Sequence, residues 1–171
     1  MKVSVVNMRN MIKRVSKELI DYKLSTRVNR SNYWTNVKVE VSETTKRILI
    51  RDSILYYIPN TEEYDFIDAL VKPKGIACGS CSYKIIKAAE VSEPVTEKIK
   101  EAKFGEYNVI TSEVFTVNGV RFGYDIKKLK NFPKKDITYN KVIVQGSPML
   151  VIKQGNEILG LLLPIKCYNQ E

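Results

Sequence analysis

The stretch QGSPMLVIKQGNEILGLLLPIK, residues 145–166, decides how this chain is to be read. Two apolar runs, PMLVIK and EILGLLL, flank Gln154-Gly155-Asn156, a tight-turn sequence that folds the second run back antiparallel to the first. Pro164 closes the second run, and a proline has no N–H to give to a sheet ladder. The reading is a hairpin whose last strand, 158–163, stops at an exposed rim. Strand alternation turns Leu161 and Leu163 to one face and Leu162 to the other.

Working outward, ITYNKVIV (137–144) adds a strand before this hairpin, and DIKKLKN (125–131) is a brief helix with Asp125 as N-cap and Pro133 just beyond it. EVFTVNGVRF (113–122) carries the hairpin or bulge signal Asn118-Gly119. The N-terminal part repeats the order. KVSVV (2–6) reads as a strand, and 8–22 as an amphipathic helix with Met8, Ile12, Val15 and Leu19 at helical spacing. VKVEV (37–41), RILIR (47–51) and ILYYI (54–58) then read as three antiparallel strands. The expected fold is α+β: two β-α-β-β-β repeats, about 1–58 and 113–171, forming a single domain of packed antiparallel sheets with both helices on one side. Between them, 59–112 is an inserted region with helices expected at 62–71 and 94–103 and a loop at 73–83, punctuated by Pro59, Pro73, Gly75, Gly79 and Pro94.

This pattern resembles the bacterial DNA polymerase sliding clamp. The opening MKVSV with the helix NMIKRVSKEL, and the closing DIKKLKNFPKKDITYNKVIVQGSPMLVIKQGNEILGLLLPIK, carry the likeness. In that family a domain's second repeat runs helix, lysine/proline turn, strand, Pro-x-apolar strand, hairpin, and a last strand ending apolar-Met-Pro-Met-Arg. Leu163, Pro164, Ile165 and Lys166 stand at those last positions. The resemblance implies a non-catalytic processivity factor of DNA replication that contacts DNA without reading its sequence, of phage or mobile-element type. It also implies that Leu162, Pro164, Ile165 and Lys166 help form an apolar pocket for peptide motifs of replication proteins. Clamp subunits carry three such domains and this chain has room for one, so a ring would require a homo-oligomer of many copies.

Composition points the same way. At 171 residues and 44% apolar content the chain can bury a core without staples. Three cysteines and no histidine suit reduced thiols in a cytoplasmic setting. The N-terminus MKVSVVNMRNMIKRV lacks the apolar centre of a leader, and no run approaches a membrane span, so no membrane partner is expected. Lys and Arg number 28 against 19 Asp and Glu, a net charge of +9 that favours a polyanionic partner. On the first helix Arg9, Lys13 and Lys17 recur every four residues and share a stripe, flanked by Arg14. On the second, Lys127, Lys128 and Lys130 lie opposite Ile126 and Leu129. These seven are the candidate phosphate contacts, against the plainer reading that exposed helix faces are simply charged.

Other chemistry finds less support. Cys78-Gly-Ser-Cys81 has the spacing of a zinc knuckle or redox pair, but tetrahedral zinc wants four ligands and the only further thiol is Cys167. No metal or cofactor is expected. The carboxylates of EEYDFID (62–68) form no acid–base pair, and the glycines of VNGVRFG do not make a phosphate loop. The chain is therefore read as a non-enzyme. The competing class is a small interaction protein, an inhibitor or ligand-sequestering factor, that uses Tyr56, Tyr57, Tyr64 and Tyr83 of the central part as contact residues.

Overall fold

Alternating valines in Val37–Val41 (β1) and the continuous apolar runs within Lys46–Arg51 (β2) and Ile54–Pro59 (β3) give three strands that pair consecutively and antiparallel. The computed structural model describes residues 8–17, 37–41, 46–51, 53–59, 61–64, 66 and 81–167. Within them the chain is α+β, mostly antiparallel sheet with few helices. The strand expected at 2–6 and residues 18–22 of the first helix lie outside the described residues.

The remaining elements follow in order. Helix α1 spans 8–17, and helix α2 spans Cys81–Ala89. Strands are β4 (Glu93–Pro94), β5 (Lys100–Phe104), β6 (Tyr107–Val117), β7 (Val120–Asp125), β8 (Ile137–Val144), β9 (Ser147–Gln154), β10 (Glu157–Leu162) and β11 (Ile165–Cys167). Two 3-10 helices, Glu62–Tyr64 and Ile126–Asn131, complete the set.

Strand order in the seven-stranded sheet is β1-β2-β3-β10-β9-β8-β4, and in the four-stranded sheet β11-β7-β6-β5. The larger sheet thus joins two three-stranded meanders through their last strands, with Leu161 opposite Leu55. Both faces of β3, β9 and β10 are covered. Ile54, Tyr56, Ile58, Leu150 and Ile152 face inward, where they meet Ile110, Phe115, Phe122 and Tyr124 of the smaller sheet and Met8, Met11, Ile12 and Val15 of α1. The alternate residues Leu55, Tyr57, Met149 and Val151 face outward and bury Ile86 and Ala89 of α2. Each fully buried aliphatic or aromatic side chain here contributes about 1.5–3 kcal/mol.

β10 serves both faces by means of a bulge. Its register against β9 slips between Ile158 and Gly160, so Leu159 and Leu162 enter the inner core while Ile158 and Leu161 enter the outer one. A Cβ at Gly160 would lie 2.3 Å from the Leu55 carbonyl oxygen and 2.8 Å from the Phe132 ring, so only glycine fits.

Several expectations are corrected. Residues 94–103, read as a helix, are strands β4 and β5 with a connection: Lys100–Phe104 pairs along Tyr107–Thr111, and that ladder outweighs the helix propensity of TEKIKEAK. The start of the second repeat at 113 falls inside β6, and 93–112 supplies strands to both sheets rather than a helical insertion. Of the helix expected at 62–71, the described residues hold the short 3-10 turn Glu62–Tyr64 and Phe66 in helical conformation. The helix at 125–131 is a six-residue 3-10 helix, capped as expected by Asp125, whose carboxylate accepts from the Lys127 N–H at 3.0 Å. Pro164 does not mark a rim. It stands at the step where the chain leaves the larger sheet at Leu162 and enters the smaller one at Ile165, pairing with Gly123 of β7.

Candidate nucleic-acid interface and surface depressions

Burial on α1 sorts its residues cleanly. Met8, Met11, Ile12, Val15 and Ser16 are buried, and Ser16 Oγ donates to the Ile12 carbonyl at 2.7 Å. Arg9, Asn10, Lys13, Arg14 and Lys17 are exposed on the opposite side. The sequence-predicted cationic stripe is therefore the solvent face of this helix. In the 3-10 helix Lys127 and Lys130 are exposed and Lys128 is half-buried, while Ile126 and Leu129 pack against the inner core.

These seven cations are not equivalent. Arg9 Nε lies 2.8 Å from Glu63 Oε1, an exposed ion pair worth about 0.2–1 kcal/mol that nevertheless neutralises its charge. Beside it Tyr64 is pushed up by burial and by Glu63, with Arg9 pulling the other way. Arg14 Nη2 donates to the Asn131 carbonyl at 3.1 Å, bridging α1 to the end of the 3-10 helix. Lys13, Lys17, Lys127, Lys128 and Lys130 are in no salt bridge among the described residues. The two cationic segments thus adjoin at the Arg14–Asn131 bond.

Asn131 is the hub of that junction. It is 4% exposed, its side-chain amide donates to the Tyr56 hydroxyl at 2.9 Å, and its carbonyl receives Arg14. The next residue, Phe132, stacks at a tilt on Tyr56 with centroids 5.3 Å apart and lies over Gly160. Sequence reading missed Asn131, because nothing in KLKNFP distinguishes a buried hub from a surface asparagine.

The residues proposed for a peptide pocket separate. Leu162 is 1% exposed in the inner core and is no pocket residue: the bulge in β10 turns it inward. Pro164 and Ile165 are half-buried and Lys166 is exposed. Ile165 and Lys166 line a depression of about 340 Å3 together with Phe104, Tyr107, Val109 and Cys167. Phe104 and Tyr107 face each other across the β5–β6 turn, and Gly105 in FGEY was the signal for that turn. The Cys167 thiol is pushed up by burial, with Arg121 pulling it down, and it points toward the Ile165 carbonyl at 3.6 Å.

A second depression, about 310 Å3, gathers Lys98, Lys100 and Arg121 around Thr111 and Ser112, with Glu97 and Glu113 beside them. Its floor cannot donate to an anion. Thr111 Oγ1 already donates to the Phe122 carbonyl at 3.2 Å, and Ser112 Oγ to Glu97 Oε2 at 3.3 Å.

Tyr56, Tyr57 and Tyr64, read as contact residues of an interaction protein, are buried at 2%, 8% and 6% exposure and hold the core instead. Tyr83 sits in α2, whose outward fit depends on Ile86 and Ala89. Cys78 lies outside the described residues, and Cys81 opens α2. Among the described residues no group of three or more potential ligands could hold a metal ion. No helix among them is long and apolar enough to cross a membrane.

Fold and site together define an antiparallel α+β sandwich with an adjoining pair of cationic helical segments. Comparison with protein-family models, with curated proteins and with solved structures gives no match.

Proposed function

We propose that the chain is a non-catalytic, clamp-like DNA-binding module that holds duplex phosphate without reading base sequence. The observation that carries this reading is the Arg14–Asn131 hydrogen bond, which joins α1, the bearer of Lys13 and Lys17, to the 3-10 helix that bears Lys127, Lys128 and Lys130. Lysine and arginine on helical elements offer phosphate contacts whose strength comes from counterion release. The strand order adds support, since each meander of the larger sheet follows one cationic helical segment, as a duplicated β-α-β-β-β unit would give. On this reading the depression beside Ile165 and Lys166 takes an apolar peptide motif of a replication partner, and several copies assemble around the duplex.

The test is a salt titration of binding to a random-sequence duplex. Each phosphate contact contributes about 0.9 to the slope of log K against log salt, so changing Lys13, Lys17, Lys127, Lys128 and Lys130 to Ala lowers its magnitude by roughly 4.5. An unchanged slope in a folded variant would mean that these charges are merely solvated.

A further inference from the structure

We infer that Asn131 and Tyr56, neither of which can reach a ligand on the cationic face, are positioning residues for that face. The inference rests on the proposed phosphate-binding reading and assigns a part of its machinery that the charge pattern does not reveal. Two helical segments distant in sequence meet here. α1 is docked by Met8, Met11, Ile12 and Val15, and the 3-10 helix by Ile126 and Leu129, each through apolar contacts that fix depth better than direction.

Direction comes from the polar joint. Arg14 can fix α1 against the 3-10 helix only if the Asn131 carbonyl is itself held in place. Contacts among the described residues hold it, including the Asn131 amide bonded to the Tyr56 hydroxyl, the Phe132 N–H given to the Leu129 carbonyl, the Phe132 ring against Tyr56, and that same ring over Gly160 at the β3–β10 seam. Tyr56 is 2% exposed and its backbone is locked between β2 and β10. The chain of contacts therefore runs from the β3–β10 seam of the larger sheet to an exposed guanidinium. It also reassigns Arg14, which acts first as a strut between the segments.

Conventional charge removal and joint loosening leave different traces. Losing a phosphate ligand lowers both affinity and salt slope. Misaligning ligands that keep their charges lowers affinity with little change of slope.

The experiment measures anisotropy of a labelled 30-base-pair random duplex at several salt concentrations, well below each variant's melting temperature. Tyr56→Phe and Asn131→Ala are expected to weaken binding roughly two- to tenfold, the worth of one buried hydrogen bond, at unchanged slope. Lys13→Ala lowers the slope by about 0.9. Tyr124→Phe is the control: it removes a buried tyrosine hydroxyl that donates to the Pro148 carbonyl and takes no part in the Arg14–Asn131–Tyr56 joint, and should leave affinity intact. Wild-type affinity in Tyr56→Phe and Asn131→Ala would overturn the inference while the phosphate-binding reading stands. An equal loss in Tyr124→Phe would also overturn it, by reducing the effect to general stability. Failure of the wild-type chain to bind the duplex at all would overturn that reading and the inference together.

Discussion

Replacing Gly160 by alanine is the sharpest test of how the two halves of the larger sheet are joined. The added methyl carbon would stand 2.3 Å from the Leu55 carbonyl oxygen and 2.8 and 2.9 Å from two carbons of the Phe132 ring. The carbonyl cannot retreat easily, because Leu55 lies in β3 between β2 and β10 and is paired on both sides. The ring cannot retreat without leaving Tyr56. Overpacking of this kind costs typically 1–3 kcal/mol, and a backbone clash belongs at the upper end, about 3 kcal/mol. For a chain of this size each kcal/mol lowers the melting temperature by roughly 2–4 °C, so the expected fall is about 6–12 °C. Circular dichroism melts of the wild type, Gly160→Ala and Gly146→Ala measure it. Gly146 has φ +78° in an open turn with nothing near its Cβ position, so its alanine variant reports backbone strain alone, about 1 kcal/mol. If Gly160→Ala melts within about 2 °C of the wild type, or above Gly146→Ala, the close seam between β3 and β10 is not what holds the meanders together.

Two further predictions concern titrating groups. Burial raises the Tyr124 phenol well above its ordinary value, so its contribution to stability is intact below about pH 10 and is lost as pH rises past that point, with Tyr139 shifted in the same direction by burial. Denaturant melts from pH 9 to 11 should show stability falling with pH in the wild type and less steeply in Tyr124→Phe; parallel curves would refute the assignment. Because burial also raises the Cys167 thiol, iodoacetamide at pH 7.5 should label it far more slowly in the folded chain than in urea, read at that residue by peptide mass mapping. Equal rates in the two states would show that Cys167 is open to solvent.

Much of the strand plan was legible because it rests on local chemistry. Val37–Val41 alternates strictly and forms β1 as read, and ITYNKVIV matches β8 residue for residue. Asn118-Gly119 sits in a turn with φ of 50° and 78°, the doubly left-handed geometry that such a pair favours. The face of α1 was also legible, since a period of 3.6 separates Met8, Ile12 and Val15 from Arg9 and Lys13 whatever the helix packs against.

What the sequence left open depended on partners distant along the chain. TEKIKEAK prefers a helix by itself, and its second half, KEAK, becomes part of β5 because β6 offers an unpaired edge that a neighbouring strand can satisfy. Pro164 announced only that a ladder stops; that the chain then crosses into the other sheet, and that the bulge between Ile158 and Gly160 sends Leu162 into the core, follows from the pairing of β10 with β9 and β3 and of β11 with β7. Asn131 looks like a surface residue until Tyr56, 75 positions away, supplies its partner. Periodicity fixes which side of an element is apolar, because that information lies within a few residues. Which element covers that side, and which polar group meets which, is set by contacts between segments that no local pattern encodes.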